Sequence, residues 1–486
     1  MSIESPLFYL NQLAEKDFLI GDNKYEFQQI ASELYLELQQ LLVSENTPKI
    51  ILAEREPIRF LAGFIAACAS GCQVFLCNPD WEKQEWQQVL ELIQPDIIWG
   101  QKIKTYPCRD AIYRVSSPHR VSSPHRVSSP HRVSSHSPYI MIPTGGSSGK
   151  IKFAIHTWET LIASVQGFTE YFQLTQINSF CVLPLYHVSG LMQFMRSFTT
   201  GGRLAMPSAS VAIAQFKTLA SSPEYQINPA DFFISLVPTQ LQRLLENPQL
   251  TEWLSQFTTV LLGGAPAWEE ILEKARFHRI RLAPTYGMTE TASQIATLKP
   301  DDFLNGKINS GQILPHAQVK IRNQQGEILN PNQTGNITIQ AQSLALGYYP
   351  QTWENQHYLQ VDDLGYLDSQ GYLNIIGRSS DKIITGGENI YPAEIEAAIK
   401  STQMVTDVCI IGLPDKHWGE AVTAIYIPKH PQISTHTLQT ELNQKLSKFK
   451  IPKHWIPVTT LPRNPQGKIN RQHLQKIATE HLQNLP

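Results

Sequence analysis

The chain is poor in cysteine and in charge, and neither sign of charge dominates. Six cysteines in 486 residues (Cys68, Cys72, Cys77, Cys108, Cys181, Cys409) form no C-x-x-C pair. That is too sparse for a disulfide scaffold, and it points to a reducing compartment, the cytoplasm. Charged residues make up 17% of the chain, against ~25% in an average globular protein. Forty basic and 42 acidic side chains leave a formal charge of −2. A protein built to bind nucleic acid or a membrane surface carries a basic excess, which is missing. The first twenty residues include Glu4, Glu15, Lys16 and Asp17 and have neither a basic head nor a long apolar run, so they do not read as a signal peptide. The longest uncharged apolar stretch, residues 60–77, is interrupted by Ser70, Gly71 and Gln73 and is followed by Asn78-Pro79. It falls short of the ~20 strongly apolar residues of a membrane span. It reads instead as a buried helix to Ala69, a break at Gly71 and a buried strand over 74–77.

What the chain does have is a hydrophobic fraction of 42%, enough for a large core, and a length that suggests about three domains. Short apolar runs (49–52, 97–99, 180–183, 232–237, 260–262) alternate with helical patterns (26–42, 240–245). This rhythm indicates an α/β domain with a parallel sheet. Between 311 and 378 the texture changes to alternating runs (318–322, 335–340, 372–376) separated by Asn, Gly and Gln turns, the mark of a β-rich subdomain. After 382, α/β texture resumes. Residues 382–486 carry twelve Lys+Arg against eight Asp+Glu, so a small basic part follows a larger acidic one.

One segment is low-complexity. VSSPHR occurs three times in tandem over 115–132, then decays into Val133-Ser134-Ser135-His136. A proline every six residues precludes a regular helix, and no rigid element fixes His119, His125, His131 and His136 as metal ligands. Residues 115–136 read as a surface insertion that activity does not need.

Five motifs carry chemistry. The first, Thr144-Gly145-Gly146-Ser147-Ser148-Gly149-Lys150-Ile151-Lys152, offers glycine-freed backbone N–H groups, hydroxyls and lysine charge to phosphate oxygens. The spacing fails the Walker pattern: Thr144 stands where its first Gly belongs, and Ile151 follows Lys150. The second, Pro284-Thr285-Tyr286-Gly287-Met288-Thr289-Glu290, joins a flat ring, a glycine permitting close approach, and oxygen donors suited to Mg2+. The third is Asp362-Asp363-Leu364-Gly365-Tyr366 with Gly377-Arg378 and Asp381-Lys382. A carboxylate suits two ribose hydroxyls, and Arg378 reaches it across a hairpin; a pair of ordinary turns is the plainer alternative. The fourth and fifth are Gly386-Gly387-Glu388-Asn389-Ile390-Tyr391-Pro392 and Pro462-Arg463-Asn464-Pro465-Gln466-Gly467-Lys468. Taken singly, each is equally a surface loop.

In this order and at these spacings the five resemble the acyl-adenylate-forming superfamily, over roughly residues 25–475. The first loop departs from the family's T-S-G-T-T-G-x-P-K at Gly145, Ser147, Ser148 and Ile151. The resemblance implies an α/β fold with a large N-terminal domain (1–378, its β-rich subdomain at 311–378), a hinge at 379–381 centred on Asp381, and a mobile C-terminal lid (382–486). It implies that Thr144, Gly145, Gly146, Ser147, Ser148, Gly149 and Lys152 embrace the ATP phosphates. Gly264, Ala265 and Pro266, with Tyr286 and Gly287, line the adenine. Thr289 meets the α-phosphate, Glu290 holds Mg2+, and Asp363 and Arg378 bind the ribose. Lys468 reaches the acyl carboxylate and the α-phosphate. Gly386 and Gly387 line the tunnel for CoA.

The acid is addressed by Pro184-Leu185-Tyr186-His187-Val188-Ser189-Gly190, which matches the family's P-x-x-H-x-x-G helix start and places His187 at the acyl pocket. Arg196, nine residues on in an otherwise apolar helix, needs an anionic partner if buried. HVSGLMQFMRSF and VPTQLQRLL are similar to the ligases that join 2-succinylbenzoate to CoA in menaquinone and phylloquinone biosynthesis. That acid has two carboxylates, one to be activated and one for Arg196. The alternatives are an aryl- or fatty-acyl–CoA ligase with another acid, in which Arg196 pairs with an internal acid or faces solvent, and a non-catalytic ATP-binding protein of the same fold. The expected partners are thus the acid, ATP and CoA, with no nucleic acid and no membrane span; the sequence leaves open whether the chain forms a homo-oligomer.

Overall fold

The structure, a computed structural model, describes residues 3–12, 18–20, 24–42, 47–100, 138–145, 151–207, 227–354, 358–385, 388–415, 417–443, 445–463 and 469–483. The VSSPHR repeats, residues 146–150, Gly386, Gly387 and Lys468 lie outside them.

Two mixed sheets, each with a run of parallel strands, form the large N-terminal part. In the first, strands Lys49–Leu52, Gln73–Leu76, Ile97–Trp99 and Ile140–Gly145 run parallel, and Ile151–His156 returns antiparallel beside Ile140–Gly145. Their apolar runs are buried almost without interruption, as a sheet covered on both faces requires. The helix Pro57–Ala69 crosses between two of them. Glu56 caps it, accepting from the N–H groups of Ile58 (3.0 Å) and Arg59 (2.7 Å), and Pro57 opens it. Residues 60–68 are all buried, and the chain turns at Gly71 with φ +72°. The uncharged stretch is therefore a core helix and a strand. Among the described residues, no helix is long and apolar enough to cross a membrane.

The second sheet runs Leu19–Ile20, Leu204–Ala205, Asn178–Phe180, Phe232–Leu236, Thr259–Leu262, Leu282–Met288, Ser293–Thr297 and Gln312–Ile313. The strand expected over 180–183 instead covers Asn178–Phe180. Its neighbour Leu204–Ala205 ends there, and Cys181 N–H to the Ala205 carbonyl (2.8 Å) is the last rung. Beyond it, the Pro184 carbonyl accepts from His187 N–H (3.1 Å) at the entry to the helix Val188–Thr200.

The alternating runs form a four-stranded antiparallel sheet of Ala317–Arg322, Gly335–Ala341, Leu359–Leu367 and Leu373–Arg378. The small C-terminal part has its own sheet, in which Val405–Asp415 and Gly419–Pro428 form a long antiparallel pair. Alternation along Val405–Asp415 feeds two cores: Val408 and Ile410 pack toward Ile395 and Ile399, whereas Cys409, Ile411 and Leu413 pack toward Leu474 and Ala478.

Candidate active site

The first motif is a hairpin mouth. Thr144 and Lys152 are register partners on the antiparallel strands Ile140–Gly145 and Ile151–His156. The loop therefore joins two strands, where a Walker loop joins a strand to a helix, and this accounts for the failed spacing. Lys152 is exposed, with its Nζ 5.2 Å from the centre of the Tyr348 ring.

The second and third motifs meet directly. Tyr286 lies near the C-terminal end of Leu282–Met288, and its hydroxyl donates to Asp363 Oδ2 at 2.7 Å. Burial, then the Asp363 charge, pushes the Tyr286 phenol far above its ordinary range, so it remains a donor. Arg378 Nε stands 3.4 Å from Asp363 Oδ1, and the two residues are register partners on Leu359–Leu367 and Leu373–Arg378. Asp363 thus sits within a strand, not in the turn its sequence also suggested. Arg378 is half exposed, which leaves its guanidinium edge accessible. Beside them, Gly264 turns at φ +82° after the parallel strand Thr259–Leu262, and Gly264, Ala265 and Pro266 are exposed. The neighbouring Gly263 has no room for a Cβ, which would stand 2.6 Å from Thr285 Oγ1. This turn lies at the carboxyl ends of parallel strands, where open α/β sheets bind ligands.

Thr289 and Glu290 occupy a tight turn whose four successive carbonyls are held from outside. His156 Nε2 donates to Thr289 O (2.8 Å), Ala345 N–H to Glu290 O (2.8 Å), Ser343 Oγ to Thr291 O (2.9 Å) and Ser164 Oγ to Ala292 O (2.7 Å). Burial lowers the His156 pKa to about 4, so the ring is neutral, and its contact with a carbonyl requires the proton on Nε2. The Glu290 side chain is buried, and Tyr348 Oη donates to its Oε1 at 2.6 Å. No local pattern marks His156 or Tyr348: each is a lone residue in a strand whose partner in the site lies far along the chain.

The acid-directed motif places His187 at the N-cap of Val188–Thr200, its ring 4.5 Å from that of Tyr186. Arg196 is 2% exposed. It donates to Gln294 Oε1 (2.7 Å) and Ser293 Oγ (3.3 Å), and its guanidinium lies 4.2 Å from the centre of the Phe168 ring. Among the described residues no carboxylate pairs with it, and its Nε has no partner. Burial lowers its pKa to about 9, which still leaves it charged at neutral pH. Gln294 follows directly on the Thr289–Ala292 turn and Ser293, and pairs with Gly287 across the hairpin. The guanidinium therefore stands directly behind the Tyr286–Glu290 segment.

Asp381 is tied to the small part: Arg471 Nε is 3.2 Å from Asp381 Oδ2, and the same guanidinium reaches Glu396 (3.5 Å) and the Ile410 carbonyl (2.7 Å). On the other side, Asp362 accepts from Ser379 N–H through its carbonyl (2.7 Å) and from Ser380 N–H through Oδ1 (3.1 Å). The structure therefore brings Tyr286, Asp363 and Arg378 together, and Thr289 and Glu290 beside them. Lys468, Gly386, Gly387 and residues 146–149 of the first loop lie outside the described residues.

Comparison with known proteins agrees with this geometry. The model of the AMP-binding enzyme family matches residues 31–349, and that of the AMP-binding enzyme C-terminal domain matches 394–468. A 2-succinylbenzoate–CoA ligase of Oceanobacillus iheyensis is 35% identical over 299 residues, 60% of either chain. One of Bacillus anthracis is 33% identical over 347 residues, 70% of either chain. The o-succinylbenzoate CoA synthetase of Bacillus subtilis, solved with the acyl-adenylate intermediate OSB-AMP, superposes with a TM-score of 0.81 at 25% identity, covering 97% of this chain and 98% of that one. ATP-bound MatB of Rhodopseudomonas palustris shares the fold at 20% identity, with a TM-score of 0.81 and coverage of 98% and 100%. This chain belongs to the AMP-binding enzyme family.

Proposed function

We propose that the chain is an ATP-dependent, AMP-forming ligase that adenylates 2-succinylbenzoate and passes the acyl group to CoA, a step of menaquinone or phylloquinone biosynthesis in the cytoplasm. The observation that carries the choice of acid is Arg196. It is a fully buried cation with no carboxylate partner among the described residues, set behind the Thr289–Glu290 turn. A fatty-acyl pocket has no use for such a charge, whereas a dicarboxylic acid presents one carboxylate for activation and a second for Arg196. The B. subtilis synthetase solved with OSB-AMP and the two ligases above support the same acid. The five buried, unpaired cysteines among the described residues are consistent with a reducing compartment.

Adenylation needs two anions to meet. An oxygen of the acid's carboxylate attacks the α-phosphorus, the α–β phosphoanhydride bond breaks, and pyrophosphate leaves. Catalysis is then mainly positioning and charge neutralisation. Asp363 accepts the ribose hydroxyls and Arg378 supports it, while Tyr286 and the Gly264–Pro266 turn flank the adenine. Thr144 and Lys152 frame the loop that takes the β- and γ-phosphates. Thr289 contacts the α-phosphate, and Lys468 neutralises charge on the carboxylate and that phosphate. Glu290 fits Mg2+: it is a buried carboxylate with one oxygen held by Tyr348 and the other without a partner among the described residues. The ion, when bound, offsets phosphate charge. In the second half-reaction the CoA sulfur attacks the acyl carbonyl and AMP leaves. Rotation about Asp381 withdraws Lys468 and presents the tunnel beside Gly386 and Gly387, with His187 moving at the acyl pocket.

The test is CoA-thioester formation with 2-succinylbenzoate, benzoate and a fatty acid, repeated with Arg196→Ala. The expected result is strong preference for 2-succinylbenzoate and a tenfold or greater loss of kcat/KM in the variant. Equal use of the three acids, or a variant whose KM and kcat barely move, rejects the assignment.

A further inference from the structure

Arg196, whose Nε is unpaired, is not the only buried side chain in its neighbourhood with a polar atom that lacks a partner. His316 is 8% exposed, and neither of its ring nitrogens has a hydrogen-bond partner. Gln294 is 5% exposed; its Oε1 receives Arg196, but its Nε2 is unpaired. These groups converge on one helix. Phe168 of Trp158–Phe172 stacks under the guanidinium, and the preceding Gly167 lies against the His316 ring, so closely that a Cβ there would stand 1.8 Å from Nδ1. Burial, then the Arg196 charge, lowers the His316 pKa to about 4, so the imidazole is neutral and carries one N–H.

Buried polar atoms left unpaired are rare because each forfeits its hydration without return, by about 1–3 kcal/mol. Three neighbouring side chains here leave four such atoms: Arg196 Nε, Gln294 Nε2 and both His316 nitrogens. Three of the four can donate, since one His316 nitrogen carries the proton, and the only formal charge among the three side chains is positive. That is a site built for an anion with two or more acceptor oxygens. A neutral imidazole supplies a donor without a second buried positive charge beside the guanidinium.

We propose that His316 is a specificity-determining residue of this site: its N–H, with Arg196 and Gln294, holds the second carboxylate of a dicarboxylic acid, and Gly167 keeps the ring in place. The inference rests on the proposed function and adds to it a residue that no motif contains. Selectivity for two carboxylates over one then comes from three donors, because a monocarboxylic acid leaves all three unpaired.

The experiment measures kcat and KM for 2-succinylbenzoate and for 4-oxo-4-phenylbutanoate, the same acid without its ring carboxylate, in wild type, His316→Ala, His316→Asn, Gly167→Ala and Arg196→Ala. His316→Ala is expected to lower the ratio of kcat/KM between the two acids at least tenfold, with the loss in the KM for 2-succinylbenzoate. Asn, which keeps a donor, recovers part of the ratio. Gly167→Ala reproduces the loss with His316 intact. If Arg196→Ala collapses the ratio while the folded His316 and Gly167 variants keep it, His316 has no such role and the functional reading stands. If no variant changes the ratio, or if wild type itself does not prefer the dicarboxylic acid, the functional reading fails with it.

Discussion

Two histidines among the described residues are held neutral by burial, and both matter for the response to acid. His156 and His316 have pKa values lowered to about 4, in each case first by desolvation. In the unfolded chain an ordinary histidine titrates near 6.5. Below that value the unfolded state binds protons that the folded state refuses, so stability must fall as pH falls from about 6.5 towards 4. A displacement of this size corresponds to about 3 kcal/mol per residue when fully expressed. Urea unfolding of wild type and His316→Asn at pH 7.5, 6 and 5 measures it. The variant is expected to lose less stability than wild type across that window, and parallel curves would contradict the burial argument.

The residues of the candidate site divide by how far their partners lie along the chain. Tyr286, Asp363, Arg378, Thr289, Glu290 and Arg196 were legible because each belongs to a local run whose spacing carries meaning. Phe168, His316, Gln294 and Tyr348 were not. Their contacts join positions far apart in the chain, such as Tyr348 to Glu290 and Arg196 to Gln294. No short-range pattern encodes a partner at that distance.

At the scale of elements, the Thr289–Ala292 turn is held at every one of its backbone carbonyls. Four donors from three separate stretches (His156; Ser164; Ser343 with Ala345) each hold one of its carbonyls. Catalysis by charge neutralisation profits from groups fixed beforehand, since nothing must reorganise as charge develops. The backbone of Glu290 is fixed by this clamp, and its side chain by Tyr348 Oη at 2.6 Å. Tyr348 in turn lies on Gly347–Tyr348, paired to Ile151–His156 beyond Lys152. Replacing Tyr348 with Phe keeps the ring and removes only the donor to a buried carboxylate, a charge-assisted bond of about 1.5–3 kcal/mol. The expected result is a tenfold or greater rise in the Mg2+ concentration for half-maximal, acid-dependent ATP–pyrophosphate exchange. CoA transfer from supplied acyl-adenylate should change far less. If both half-reactions fall together, Tyr348 only supports the fold. Element boundaries show the same division of legibility. The strand Lys49–Leu52 coincides with its apolar run because both its faces are covered. The strand stops short of the apolar run over 180–183 because its end is set by the length of Leu204–Ala205, a neighbour that the run itself does not reveal.

At the scale of the whole molecule, the uneven charge of the sequence acquires a location. The basic excess after residue 382 falls on a part with its own two-faced core, joined to the rest at Asp381 between the Asp362 cap and the Arg471 guanidinium. Much of that excess is already engaged. Lys450 pairs with Glu394 at 2.5 Å, Lys400 with Asp407 at 3.2 Å, and Lys445 donates to Ser401 Oγ at 2.9 Å. Lys448 and Lys453 are exposed, and Lys453 stands 4.7 Å over the ring of Trp418, itself in edge contact with Phe449. If the small part receives CoA, a polyanion, these two lysines are better placed to steer it than Lys445 or Lys450, whose charge or hydrogen bonds are used internally. Exposed charges act over about a Debye length, ~8 Å at physiological salt, and weaken as salt rises. The double variant Lys448→Glu/Lys453→Glu is therefore expected to raise the KM for CoA several-fold at low ionic strength. The difference from wild type should shrink toward none at 0.5 M salt, because screening removes steering but not a short-range contact. Pyrophosphate exchange, which involves no CoA, is the internal reference. A KM for CoA that stays unchanged at low salt assigns the excess to ordinary solvated surface, whereas a rise that persists at high salt replaces steering with direct phosphate contact.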